Sequence, residues 1–528
     1  MNRRHFLRTV GLGAAALATS RIARAGQGAA ADRPDIVILI ADDMGYSDLG
    51  CYGGEIRTPH LDGLARRGIR FTEYHTENMC APTRATLLTG RYWIRRFDAG
   101  DNVTIPEALG AAGYHTCMAG KWHNTNDVKP AREAPLKRGF HRFFGTPIGC
   151  GSFFAPLMLT RDGQPAEDEW RTNKAFYYTD AISASAATYV REAPKDKPLF
   201  LYVAYTAAHW PLHALPDDIA RYKGRYAGGW DRLRRERLAR MKQLGVVGPD
   251  TPLSPRHAQV PAWDDEEHKA WQERRMEVYA AQVDRMDQGI GRILAALEAR
   301  GRLRDTLILF TIDNGGCHVE YGATRKGDFL NATTRDGRPL TVGNRPDVMP
   351  GPEHTWQSYG YGWANASNTP FRQFKQFDHE GGTRVPLIAQ WPAVIAKGGQ
   401  TTGQVAHVID LLPTALDAAG AAYPKTFQGR AVAPADGKSL VPVFRGEQRQ
   451  GHDVLFWKFA HGRAVREGNW KLVRLDNKPW ELYDLEADPI ECTNLADAHP
   501  DRVRRLEALW QAWMDGGKVG GNKRRKNA

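Results

Sequence analysis

The sequence predicts an α/β fold, with a large mixed central sheet flanked by helices and a small C-terminal α+β subdomain. Continuous apolar runs rich in β-branched residues recur along most of the chain, and such runs are typical of buried parallel strands. Four short alternating runs near the C-terminus are typical of an antiparallel sheet. With 528 residues, the chain is too long for one simple core, and its 42% hydrophobic content indicates a folded protein.

The large sheet is predicted from five apolar segments, which span residues 35–41, 114–119, 199–205, 306–312 and 387–390. Helices are predicted from their periodicity and end signals at 59–64, 84–88, 105–109, 273–300, 407–419 and 500–514. We expect Thr58 to be the N-cap of the first helix, with Pro59 at its first position. Gly301 is placed to end the long helix at 273–300.

These elements divide the chain into parts. A large domain is predicted over residues 33–437, and it ends in a link rich in Pro and Gly at 424–437. The C-terminal subdomain is predicted over 438–515, with strands at 454–458, 462–466, 470–475 and 480–484. The basic tail, residues 516–528, is expected to be disordered.

The first 25 residues have the three-part order of a twin-arginine export signal. Arg3 and Arg4 precede a short apolar run, and Ala23-Arg24-Ala25 provides a small-x-small cleavage site. A disordered basic leader does not explain this order. The run is too short to span a bilayer, and no other segment approaches spanning length. We therefore expect a bacterial protein that is periplasmic or secreted, with no membrane span.

The net charge of +12 is concentrated at the two ends of the chain. Residues 1–25 and the tail contribute five positive charges each, which leaves +2 for the body. We therefore expect no nucleic-acid partner. One basic cluster, Arg232 to Lys242, is interpreted as a solvated helix face, with a polyanion-steering surface as the alternative. The six cysteines show no C-x-x-C pair, so the fold does not depend on a disulfide framework, although one bridge remains possible.

Acids follow two of the predicted strands directly. Asp42 and Asp43 come after the strand at 35–41, and Asp313 and Asn314 follow the strand at 306–312. Ligands bind at the carboxyl ends of strands in open α/β sheets, and adjacent carboxylates repel each other unless a cation lies between them. The alternative is that they are acids of surface turns. Three carboxylates and one amide provide oxygen ligands, and no set of His and Cys ligands typical of Zn²⁺ accompanies them. The sequence therefore predicts one calcium ion.

Cys80 precedes a predicted helix that Gly90 ends. Free backbone N–H groups and the positive end of the dipole favour an anion there, and Arg84 lies one turn further along. A nucleophile at residue 80 could attack a tetrahedral oxyanion at this position. The alternative interpretation is a small buried cysteine beside a helix cap.

Further cations and imidazoles follow other strand ends. Lys121 and His123 lie two residues apart after the strand at 114–119, where both could reach a bound anion. His209 follows the strand at 199–205, although a histidine in such a loop is often only hydrogen-bonded. Aromatic residues in the long insertion 317–368 could stack on a substrate ring or could pin the loop, and the sequence favours neither.

Several of these motifs together resemble the type I sulfatases of the alkaline-phosphatase-like superfamily. The stretch Cys80-x-Pro82-x-Arg84, with Leu88-Thr89-Gly90, resembles the family signature, and residue 83 is Thr where many relatives carry Ser. Similar family elements are Asp42-Asp43-Met44-Gly45, Gly120-Lys121-Trp122-His123, His209-Trp210-Pro211, Asp313-Asn314-Gly315-Gly316 and the lysine at 375. The resemblance covers nearly the whole mature chain.

The resemblance implies a sulfuric-ester hydrolase. In the family, the cysteine is converted to Cα-formylglycine by a maturing enzyme, and the hydrated aldehyde is the nucleophile. Its implied metal ligands are Asp42, Asp43, residue 80, Asp313 and Asn314. The implied catalytic residues include Cys80 as the source of the nucleophile. Arg84, Lys121 and Lys375 are implied to neutralise charge on the sulfuryl oxygens. His209 would protonate the leaving alcohol, and His123 would take the proton from the second hydroxyl of the hydrated aldehyde.

The implied substrate is a sulfated small molecule, such as an aryl sulfate, or a sulfated glycan. Two alternatives stay open. A phosphodiester or phosphonate monoester hydrolase would use the same machinery, because both anions are tetrahedral. A non-catalytic binder of sulfated glycans is expected if Cys80 remains a thiol.

Overall fold

The computed structural model describes residues 33–124 and 131–517. The predicted export signal and residues 518–528 of the predicted tail lie outside the described residues. Within the described ranges the predicted fold class is confirmed. A ten-stranded mixed sheet is flanked by helices, and a four-stranded antiparallel sheet follows it. No helix in these ranges is both long enough and apolar enough to cross a bilayer.

The central sheet has the spatial order β10-β2-β9-β8-β1-β7-β3-β4-β5-β6. Its strands are β1 Asp35–Ala41, β2 Ile69–Phe71, β3 His115–Lys121, β4 Arg142–Thr146, β5 Thr160–Arg161, β6 Gln164–Pro165, β7 Leu199–Ala204, β8 Thr306–Ile312, β9 Leu387–Gln390 and β10 Gln400–Thr402. The strands from β8 through β1 and β7 to β3 are parallel neighbours, so their carboxyl ends share one edge. Every residue of β1, β7 and β8 is buried, as the apolar runs predicted.

Two groups of helices flank the sheet. The helices are α1 Pro59–Arg67, α2 Cys80–Thr89, α3 Ile105–Ala111, α4 Ala134–Lys137, α5 Asp168–Arg171, α6 Tyr178–Glu192, α7 Pro216–Ala220, α8 Gly229–Gln243, α9 Lys269–Ala299, α10 Gly360–Ser367, α11 Glu380–Thr383, α12 Leu411–Ala418, α13 Val441–Phe444 and α14 Pro500–Gly517. The long α9 packs against α1, α6 and α7, whereas α2 packs against α3 and α12. Gly301 follows α9 with φ +65°, a left-handed conformation that glycine adopts without a Cβ clash.

The C-terminal sheet consists of β11 Val454–Phe459, β12 Gly462–Glu467, β13 Trp470–Leu475 and β14 Glu481–Asp484, paired in sequence order. Helix α14 packs on it through Leu506 and Trp510. The four predicted strands are thus present within one residue of their expected bounds. The terminal helix continues three residues past its predicted end at 514, so Gly516 and Gly517 of the predicted tail are helical. Two-residue strands also pair at 74–75 with 406–407, at 341–342 with 355–356 and at 426–427 with 430–431.

The basic cluster at 232–242 is helical, but its interpretation as a wholly solvated face is wrong. Arg237 is fully buried in α8, and its guanidinium donates to Asp48 at 2.7 Å and to Glu55 at 2.8 Å. Arg234 is also buried and donates to the Ser254 carbonyl at 2.7 Å. The helix therefore packs against the loop that follows β1, and alternating charges in sequence did not reveal which arginines have buried partners.

Two further expectations need correction, and two questions that the sequence left open are answered. Thr58 makes no side-chain cap, because its hydroxyl accepts from the Gly50 N–H at 3.0 Å instead. The segment predicted as a helix over 407–419 begins with a separate 3₁₀ turn at Val408–Asp410 before α12. In the insertion, Trp356 and Trp363 are fully buried, so these rings pin the loop. All six cysteines are free thiols, and no bridge forms among them.

Candidate active site

Four parallel strands bring their polar end residues to one edge of the sheet. Asp42 and Asp43 directly follow β1, and Asp313 directly follows β8 on one side of it. Lys121 is the last residue of β3, and His209 lies in the loop after β7. Because β7 separates β1 from β3, residues distant in sequence meet here. Asp43 has φ +60°, a left-handed conformation that is uncommon for a residue with a side chain.

Cys80 is the first residue of α2 and faces this edge. Its side chain is buried, with the residue 2% exposed. The Sγ atom lies 3.4 Å from His123 Nδ1 and 4.0 Å from Lys375 Nζ. Helix α2 ends at Gly90, which has φ +63°, as the sequence predicts. The helix N-terminus therefore presents residue 80 to a cation and an imidazole from two other segments.

Three carboxylates are paired with three cations at the centre of the site. Lys121 Nζ donates to Asp42 Oδ2 at 2.6 Å, and Lys375 Nζ donates to Asp43 Oδ1 at 2.6 Å. A third ion pair, between the Arg84 guanidinium and Asp313 Oδ2, measures 2.8 Å. All of these side chains are at least 96% buried. Charges buried in this way are stable only when they are paired, so the site is a compensated ionic cluster.

The predicted ligand residues fit a hard divalent cation. Asp42 Oδ1, Asp43 Oδ2 and Asn314 Oδ1 are buried and have no hydrogen-bond partner. Unpartnered buried oxygens are costly, and carboxylate and amide oxygens are the ligands that Ca²⁺ and Mg²⁺ prefer. Ligand atoms of Asp42, Cys80 and Asp313 lie within 4.8 Å of one another. The same limit holds for Asp42, Asp43 and His209. This cluster could bind a metal ion.

The cluster shifts the pKa values of its acids in opposite directions. Burial, followed by the charge of Asp42, raises the pKa of Asp313 to about 7 against the opposing effect of Arg84. Burial also opposes ionisation of Asp43, but Lys375, His209 and Asn314 together outweigh burial and hold the pKa of Asp43 below its usual value. Burial raises the pKa of the Cys80 thiol. A bound cation would favour the ionised form of every one of these groups.

Two imidazoles border residue 80 and the acids. His209 Nδ1 lies 2.7 Å from the Trp210 carbonyl, which only accepts, so Nδ1 carries the proton and Nε2 is directed toward Asp43 Oδ2 at 3.3 Å. Burial lowers the pKa of His209 to about 3. Burial and the nearby Lys121 hold the pKa of His123 well below its usual value. Both rings are therefore neutral in this structure, and each presents one nitrogen to the cluster.

Every residue that the sequence predicted for the site thus lies at one sheet edge, and the structure adds others. The Thr83 hydroxyl donates to the Asp313 carbonyl at 2.6 Å, which ties α2 to the end of β8. A Cβ on Gly149 would lie 2.6 Å from His123 Cε1, so this glycine lets the chain pass close to the imidazole. The Asn368 Oδ1 accepts from the Gly316 N–H at 2.9 Å. Gly149 and Asn368 carry no sequence signal that could have identified them.

Comparison with known proteins agrees with this geometry. A family model described as Sulfatase matches residues 34–421, and one described as N-sulphoglucosamine sulphohydrolase, C-terminal, matches residues 371–511. An uncharacterised sulfatase of Schizosaccharomyces pombe is 33% identical, over 90% of this chain and 93% of its own length. An arylsulfatase of Klebsiella aerogenes is 33% identical, over 83% of this chain and 97% of its own length.

The fold matches solved structures as well. The crystal structure of Ps i-CgsB in complex with k-i-k-neocarrahexaose superposes with a TM-score of 0.64 at 23% identity, covering 91% of this chain and 92% of that chain. The family models span most of the described sequence, and the two relatives exceed 30% identity over most of their length. This chain is therefore a member of the sulfatase family, within the alkaline phosphatase superfamily, and a sulfuric ester hydrolase.

Proposed function

We propose that this protein is an exported sulfatase that hydrolyses aryl sulfates or sulfated carbohydrates with a formylglycine made from Cys80 and a bound Ca²⁺. The observation that supports this most strongly is the meeting of Cys80 with three carboxylates and three cations in one buried cluster. The maturing enzyme that oxidises the cysteine is a proposed partner. The twin-arginine pattern of residues 1–25 supports a periplasmic or secreted location.

The two groups that the proposal adds have distinct chemical roles. A hydrated formylglycine supplies an oxygen nucleophile, which suits a hard cation better than a thiol does. Asp42, Asp43, Asp313 and Asn314 would hold the cation, which would supply Lewis-acid polarisation of a sulfuryl oxygen. The unpartnered oxygens of three of these residues support their assignment as ligands.

The cationic side chains bind and orient the sulfuryl group. Lys121 is paired with Asp42, and Lys375 is paired with Asp43. With a cation on those acids, their ammonium groups are available to a substrate oxygen. Arg84 remains fixed by Asp313 and adds positive potential beside residue 80. Preorganised charges of this kind stabilise the transition state because they need no reorganisation during the reaction.

Two imidazoles move the protons. When the ester S–O bond breaks, its electron pair stays on the leaving oxygen. His209, whose Nε2 first takes up a proton from solvent, passes that proton to the oxygen and forms the neutral alcohol. His123 Nδ1 faces residue 80 at 3.4 Å and accepts a proton from it. Water replaces the alcohol overall, so the products are the alcohol and sulfate.

The experiment uses the natively produced protein and three measurements. Peptide mass spectrometry reads the mass of residue 80, and sulfate release is followed with 4-nitrophenyl sulfate. Cys80→Ala is expected to abolish release, whereas Cys492→Ala, which removes an exposed thiol, leaves it unchanged. The corresponding aryl phosphonate ester tests the alternative hydrolase. An unmodified thiol with no turnover favours the glycan binder, and a strong phosphonate preference overturns the sulfatase proposal.

A further inference from the structure

Three aromatic rings form a wall next to His209. The Trp210 ring lies 4.4 Å from the His209 ring, 4.8 Å from Tyr321 and 5.6 Å from Phe329, measured between centroids. We call Trp210, Tyr321 and Phe329 the aromatic wall. Tyr321 and Phe329 belong to the long insertion, so the insertion supplies most of this wall. Such rings provide a flat apolar surface for part of a substrate.

Arg325 stacks on two rings of this wall. Its guanidinium carbon is 5.2 Å from the Trp210 ring centroid and 5.0 Å from the Tyr321 ring centroid. The residue is exposed, and none of the ion pairs formed within residues 33–124 and 131–517 includes it. Stacking on two rings holds the planar guanidinium in place while its N–H donors stay available. This contrasts with Arg84, Lys121 and Lys375, which are all paired with acids.

The aromatic wall borders the reaction centre directly. The Trp210 ring centroid lies 4.4 Å from the His209 ring centroid, and His209 Nε2 lies 3.3 Å from Asp43 Oδ2. His209 therefore joins the wall to the carboxylates beside residue 80. A group leaving from a sulfate at residue 80 on the His209 side meets the wall first.

We infer that Arg325 is a specificity-determining residue that binds a second negative charge on the alcohol part of the sulfate ester. This rests on the proposed function, in which His209 protonates the leaving oxygen. The alcohol then lies against Trp210, and an anionic substituent on it reaches the guanidinium. The substrate class is a sulfate ester whose alcohol also carries a carboxylate or a second sulfate. Guanidinium binds either group through paired N–H···O bonds.

The test compares matched substrates that differ in this second charge. The first pair is 4-carboxyphenyl sulfate and its methyl ester, and the second is 1,4-phenylene disulfate and 4-methoxyphenyl sulfate. The variants are Arg325→Gln, which removes the charge, and Arg325→Lys, which keeps the charge but not the planar fork. Lys326→Gln is the control, because it removes an exposed positive charge from the next residue. kcat and KM are measured for each combination.

For wild type, we expect kcat/KM to be higher for the anionic member of at least one pair, and the pair identifies carboxylate or sulfate as the preferred group. Arg325→Gln should lower that value about tenfold, mainly through KM, and leave the neutral member unchanged. Arg325→Lys should be intermediate, and Lys326→Gln should match wild type.

Two results overturn the inference in distinguishable ways. If Arg325→Gln slows both members of each pair equally, or if wild type does not prefer an anionic member, Arg325 only packs against the rings and the sulfatase proposal stands. If wild type with a formylglycine at residue 80 hydrolyses none of the four sulfates, both proposals fail.

Discussion

Lys471 of β13 offers a sharp test of how the C-terminal subdomain is held to the sulfatase domain. Its Nζ lies 2.7 Å from Glu380 Oε1 and 3.0 Å from Glu491 Oε1, and all three side chains are fully buried. Glu380 begins the short helix α11, next to the glycines whose backbone bonds to the loop of Asn314. The substitution Lys471→Met keeps the side-chain length and removes the charge.

Breaking a buried ion pair by removing one partner costs about 3–5 kcal/mol, because the other charge stays buried without compensation. Here two carboxylates lose their shared cation. Glu380 keeps His75 at 3.1 Å and Arg384 at 3.4 Å, whereas Glu491 loses its ion pair. We therefore expect a loss of about 3 kcal/mol, near the lower end of that range, which is a factor of more than a hundred in the folded-to-unfolded ratio.

The pH dependence follows from two pKa shifts. Burial is the largest influence and disfavours both charges, but the surrounding opposite charges together outweigh it. The pKa of Glu380 therefore lies well below 4.5, and the pKa of Lys471 lies above 10.5. The Glu380 contribution is present above the unfolded-state pKa and is lost as pH falls through the folded-state value. The Lys471 contribution is fully present below its unfolded-state pKa and is lost as pH rises through its folded-state value. The difference between wild type and Lys471→Met should be constant between about pH 4.5 and 10.5 and shrink outside that window.

Urea unfolding followed by tryptophan fluorescence measures the effect, since Trp457 lies 5.7 Å from Lys471 Nζ. The control is Arg505→Met, whose ion pair with Glu467 is 65% exposed on the arginine side and should cost less than about 1 kcal/mol. Adding Glu491→Gln to Lys471→Met should recover part of the loss. If Lys471→Met costs no more than Arg505→Met, the reasoning about buried compensation is wrong.

Three further predictions concern other parts of the molecule. Arg237→Met leaves the buried Asp48 without an ion pair and leaves Glu55 with only Arg240 at 3.5 Å. It should lower the free energy of unfolding by about 3–5 kcal/mol, whereas Arg232→Met, on the exposed face of the same helix, should cost under about 1 kcal/mol in the same urea titration. Gly149→Ala should push the His123 imidazole aside and reduce kcat about tenfold or more, with an unchanged circular dichroism spectrum. Gly451 lies in open space, so Gly451→Ala should leave kcat unchanged. Equal activity of the two variants would contradict this prediction. Calcium at a hundredfold excess over Kd should stabilise the chelator-treated protein by about 2.7 kcal/mol, measured as a rise in Tm. The Asp42→Asn variant should lose most of that rise. An equal rise in Tm for wild type and Asp42→Asn would remove Asp42 from the ligand set.

The predicted central strands were identifiable from sequence because strands buried on both faces are apolar without interruption. The runs at 35–41 and 306–312 match β1 and β8 residue for residue. The edge strands β5 and β6 are two residues each and were not predicted, because such short pairings are selected by neighbouring strands and leave no periodic signal. Buried arginines in α8 were missed for a similar reason: a guanidinium is buried only where folding provides its carboxylates.

The sequence by itself determined the family and the fold class, and it predicted ten residues that meet in the candidate site, because these depend on local motifs and on apolar runs that are contiguous in the chain. Only the tertiary structure decided which cation pairs with which carboxylate, that Gly149 passes against His123, and that Arg325 rests on Trp210 beside the reaction centre. These are contacts between segments far apart in sequence, and their distances exist only after the strands have aligned and the insertion has packed against them.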